Sequence, residues 1–148
     1  MTNFDYLKQE PKFNTFADVA IAAEKVLNID IESSVINCRR AMEFAIKWMY
    51  SVDKSLEMPY QDNLISLMST DDFHNLVDDG LWKRLDLIRK IGNRAAHNGK
   101  KVSMDEAMLC LQNLFIFMPP LFQVFFLCFI NTHFFCNTRL FYFFTKML

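Results

Sequence analysis

Chemistry in this chain would come from the stretch 87–97, where Arg89, Asn93 and His97 recur four residues apart and so share one side of a helix. The imidazole of His97 is suited to moving a proton near neutral pH, with Asn93 and Arg89 beside it to orient or stabilise an anionic oxygen. Around these three lie Lys83, Arg84, Lys90, Arg94, Lys100 and Lys101, and Asp86 is the single acid between positions 83 and 101. Such a run is a candidate nucleic-acid-binding surface, because each cation set against a phosphate releases a counterion. The plainer reading is a solvated helix face, balanced by Asp71, Asp72, Asp78 and Asp79 just upstream. His97 also has a plainer reading, as a residue of the last helical turn whose ring meets free carbonyls. Arg39, Arg40 and Glu43 lie on an earlier helix. They are expected to pair with the Arg89, Asn93 and His97 stripe as a buried polar bracket between two long helices, since buried charges need partners.

The elements that would hold these residues read as helices. Residues 1–12 are polar, contain Pro11 and read as an extended lead-in. From 13 to 27, Phe16, Val19, Ala20, Ala23, Val26 and Leu27 recur at spacings of three and four. Asp30 is placed to cap a helix over 31–52, with Glu32 in its first turn. On that helix Val35, Cys38, Met42, Ala45, Met49 and Val52 form a narrow apolar seam, widened by Phe44, Ile46 and Trp48. This is the pattern of a central bundle helix.

A loop over 53–60 contains Pro59. A short helix over 62–69 is expected to be capped by Asp62 or Gln61, and a single turn through Val77 by Asp71 or Asp72. Asp78-Asp79-Gly80 reads as punctuation. The next helix covers 81–97, with Leu81, Leu85, Ile88, Gly92 and Ala95 on its packing face and Asn98-Gly99 as its stop. Gly92, with Ala95 and Ala96, would let another helix approach closely. Ser103 and Glu106 form a capping box that starts a helix running to Met118, where Pro119-Pro120 is expected to end it.

Composition bounds the fold. With 148 residues, 52% of them apolar, the chain fits one domain with a sizeable core. Three glycines and four prolines are too few for a turn-rich β fold. The expectation is an all-α bundle of four to five helices over 1–118. The net charge of −1 gives no whole-molecule field toward nucleic acid or membrane. Cys38, Cys110, Cys128 and Cys136 have no paired spacing and no metal-like spacing with the histidines, so no metal and no cofactor are expected. They read as reduced thiols of a cytoplasmic protein. The first residues show no basic and apolar leader.

The composition shifts after Pro119-Pro120. No acid follows Glu106, and more than half of the sixteen phenylalanines fall in 119–148. The run Leu121 to Ile130 is apolar but short of the roughly 20 residues a membrane span requires. The reading is an apolar tail unrelated to the domain, such as translation past a frameshift, and no membrane partner is expected.

Three segments carry a family resemblance: Asn37-Cys38-Arg39-Arg40-Ala41-Met42-Glu43, the run from Leu81 through Trp82 to His97, and the capped helix that follows. Together, over roughly 3–118, they resemble the small helical domain of unknown function at the N-terminus of the restriction subunit of type I restriction–modification systems. The same domain occurs in stand-alone bacterial proteins. That domain resembles the HEPN superfamily, helical bundles that include dimeric ribonucleases with an Arg-Asn-x-x-x-His motif. Asn93 and His97 match the motif, but Gly92 stands where the arginine belongs. Arg89 is too far from His97 and Arg94 too near. The resemblance therefore implies a non-catalytic interaction or scaffold module, with restriction–modification subunits or a second copy as partner. A ribonuclease acting through His97 and a nucleic-acid-binding module using the basic 83–101 segment are the alternatives. No phosphate-cradling Gly-x-x-x-x-Gly-Lys loop is present.

Overall fold

The computed structural model describes residues 1–97 and 101–130, with side chains placed as far as Leu121. Among the described residues there are helices and no strands. Four long helices build the bundle: α1 (Asn14–Val26), α2 (Ile31–Val52), α5 (Asp79–Ala96) and α6 (Met104–Ile130). Two short ones, α3 (Leu64–Met68) and α4 (Asp71–Leu76), bridge α2 and α5. This is the expected all-α bundle.

Helix α2 is central and packs on α1, α5 and α6. Its start follows from Asp30, whose side chain accepts a hydrogen bond from the Ser33 amide at 3.0 Å. Five of the six seam residues, Val35, Cys38, Met42, Ala45 and Met49, are buried, while Val52 at the last turn is exposed. Ala41, Ile46 and Tyr50 widen the buried stripe. Helix α1 faces it with Phe16, Ala17, Ala20 and Ala23, and the three alanines let the two axes come close. The buried Ser34 hydroxyl donates to the Ala23 carbonyl at 2.8 Å and ties the pair.

The lead-in is not extended. It forms two 3-10 turns, Asp5–Gln9 and Pro11–Phe13, and buries Phe4, Leu7 and Phe13. Three apolar side chains supply the reason, since each buried one contributes about 1.5–3 kcal/mol that an extended strand in water would forfeit. Phe13 meets Trp48 edge-on, with ring centroids 5.0 Å apart, and Phe4 meets Phe115 edge-on at 5.9 Å. Asn3 clasps Glu24 through its backbone and side-chain nitrogens, both at 2.8 Å.

The caps of the short helices shift by one position. Asn63 caps α3, Thr70 caps α4 and Asp78 caps α5, each accepting from the amide three residues on. Asp78 thus begins α5, and Gly80 lies within it. The hydroxyl of Tyr50 donates to the Leu67 carbonyl at 2.7 Å, and the Trp82 indole donates to the Met68 carbonyl at 2.8 Å. These two bonds fix α3 against the end of α2 and the start of α5.

Helix α6 opens on the expected capping box. The Glu106 amide donates to Ser103 Oγ at 3.2 Å, and the Ser103 amide donates to Glu106 Oε2 at 3.0 Å. It does not end at Pro119-Pro120, which lie inside it. The prolines remove two amides whose partners would be the carbonyls of Phe115 and Ile116, and neither residue is buried. Phe117, Met118 and Leu121 are buried and hold the helix on the core. The change in composition at 119 therefore falls within a helix. Residues 131–148, the rest of the expected tail, lie outside the described residues. Among those described, no helix is long and apolar enough to cross a membrane.

Candidate functional site

The site is the face of α5 turned toward α2 and α6. Leu81, Leu85, Ile88 and Gly92 are buried on it, as is Ile91, and Ala95 is half-buried. At Gly92 helices α5 and α2 approach closely. A Cβ built there would lie 2.7 Å from the Cβ of Arg39 and 2.8 Å from its Cδ. The space a side chain would take is thus filled by the stem of Arg39 from α2.

Five polar residues of α5, Arg84, Asp86, Arg89, Lys90 and Arg94, reach a partner nearby. Asp86, 7% exposed, is the anchor. Arg89 places Nε 2.8 Å from its Oδ1 and a terminal nitrogen 2.7 Å from the same oxygen, and Lys90 places Nζ 2.7 Å from its Oδ2. Burial works to raise the Asp86 carboxyl, but the hydrogen bonds from Lys90 and Arg89 outweigh it and hold the group below the usual carboxylate range. Arg94 is paired with Glu106 of α6. The Ser103 amide, followed by Arg94, holds the Glu106 carboxyl low as well. Arg84 donates to Oδ1 of the buried Asn113 on α6 at 2.9 Å. Two of the basic candidates, Arg84 and Arg94, therefore join α5 to α6. Lys83 and Lys101 are exposed, and Lys100 lies outside the described residues.

The expected bracket between α2 and α5 takes a different form. Arg39 pairs with Glu43 at 3.7 Å along its own helix, and Glu43 meets Lys47 at 3.3 Å. The guanidinium of Arg40 lies 6.0 Å over the Phe44 ring. Arg89 turns to Asp86 instead of crossing to Glu43. Gly92 is the reason: it brings the helices so close that the methylenes of Arg39 fill the gap, while partners one turn away on each helix are within reach of the charges. What crosses between α2 and α5 here is packing.

Asn93 is half-buried, and its backbone carbonyl accepts from the His97 amide at 3.1 Å. His97 is the exposed C-cap of α5. Asn93 and His97 fall one turn apart as expected, but the nearest arginines, Arg89 and Arg94, are engaged by Asp86 and Glu106. The residue that sequence reasoning passed over is Asp86. Its signal was present in the spacing of Arg89 and Lys90, three and four residues on.

The buried thiols are not nucleophiles. Burial, with Glu106 adding to it, pushes Cys110 up to about 12, and burial raises Cys38 also, so both stay protonated at neutral pH. Among the described residues no group of three His, Cys, Asp or Glu side chains is placed to hold a metal ion. A groove of about 480 Å³ runs between the first half of α6 and the α1–α2 turn, and Phe4, Leu27, Leu111 and Phe115 are among the residues that line it.

Compared with known families, residues 21–116 match the model of a domain of unknown function, DUF4145. The match begins within α1 and ends within α6, so it takes in α2, Gly92 and both pairs that join α5 to α6. No curated protein and no solved structure matches the chain.

Proposed function

The chain belongs to the DUF4145 family, and from that premise we propose that it is a non-catalytic helical interaction module, related to the N-terminal domain of a type I restriction subunit. One observation carries the reading. At the position where a HEPN ribonuclease motif has its arginine, this chain has Gly92, and the space is taken by the stem of Arg39. A cleavage site needs a fixed positive charge to stabilise the pentacovalent phosphate beside its acid–base histidine. Here Arg89 and Arg94 are consumed by carboxylates, and His97 stands alone among these groups at an exposed helix end. The polar and apolar contacts of the α5 face hold helices together.

The partners this reading names are proteins of the cytoplasm: the modification and specificity subunits of a restriction system that acts in DNA restriction and phage defence, or a second copy of the chain. The test is sedimentation velocity of the purified chain, alone and mixed with the modification and specificity subunits of a type I restriction system. A faster-sedimenting species of defined stoichiometry is expected. A chain that sediments as an unmixed monomer in both samples overturns the reading.

A further inference from the structure

We draw no further inference here: the strongest candidate, the shallow groove between the first half of α6 and the α1–α2 turn, is an apolar face with partly exposed Met108 and Phe115 along its edge, and nothing in the structure shows what covers it.

Discussion

Gly92 and Asp86 decide what α5 can do, and each makes a prediction at the scale of a single residue. A methyl group at position 92 would meet the Cβ of Arg39 at 2.7 Å. That atom is the rigid base of a side chain on a neighbouring helix, so the helices must part. Gly92→Ala is expected to cost about 1–3 kcal/mol, the usual penalty of overpacking, despite the better helix propensity of alanine. Urea unfolding measures it, and an unchanged or raised midpoint would show that the contact is slack. Asp86 is tested by pH. Its folded carboxyl titrates below an unfolded value of about 3.9. Its stabilisation is therefore complete above that unfolded value and is lost as pH falls through the lower folded one. Asp86→Ala leaves Arg89 and Lys90 as unbalanced neighbours and is expected to lose about 1–3 kcal/mol at pH 7. The gap between variant and parent should narrow as the pH is lowered below about 4. A gap that stays constant down to pH 2 would remove the carboxylate from the account.

At the scale of elements, two helix starts were legible because a cap stood directly before a periodic run. Asp30 before α2 and the Ser103–Glu106 box before α6 are of this kind, because both halves of the signal are local. The lead-in was not legible, since Phe4, Leu7 and Phe13 follow 3-10 turns and not the helical period. The path of α6 through Pro119-Pro120 was hidden for another reason. Local chemistry argues for a stop, at about 3 kcal/mol or more for a proline inside a helix, and only the tertiary burial of Met118 and Leu121 argues against it. That burial is testable. Leu121→Ala is expected to destabilise the fold by about 2–5 kcal/mol, as for other buried leucines. A change below about 0.5 kcal/mol, the range of ordinary surface substitutions, would mean that the helix beyond the prolines does not share the core. The partners of Arg84 and Arg94 were illegible because Asn113 and Glu106 are on a different helix. Spacing on one helix says nothing about them.

At the scale of the whole molecule, the bundle spends its polar residues on its own cohesion. Of the basic candidates on α5 and just after it, Arg84, Lys90 and Arg94 are held by Asn113, Asp86 and Glu106, and the net charge of the chain is −1. A nucleic acid drawing on Arg84, Lys90 or Arg94 would have to compete with those pairs. Fluorescence anisotropy with a labelled duplex or single strand at low salt is expected to show no saturable binding. Binding that falls with salt and weakens in Lys83→Ala and Lys101→Ala would restore the basic segment as an interface. The all-α class and its central helix were readable from apolar spacing alone. The role of the stripe Arg89, Asn93 and His97 was not, because spacing alone leaves it either a catalytic stripe or the polar edge of the packing face that Gly92 belongs to. Incubation of the purified chain and of His97→Ala with single-stranded RNA tests that distinction most directly. No cleavage above buffer is predicted for either protein, whereas cleavage by the parent that disappears in the variant would contradict the account.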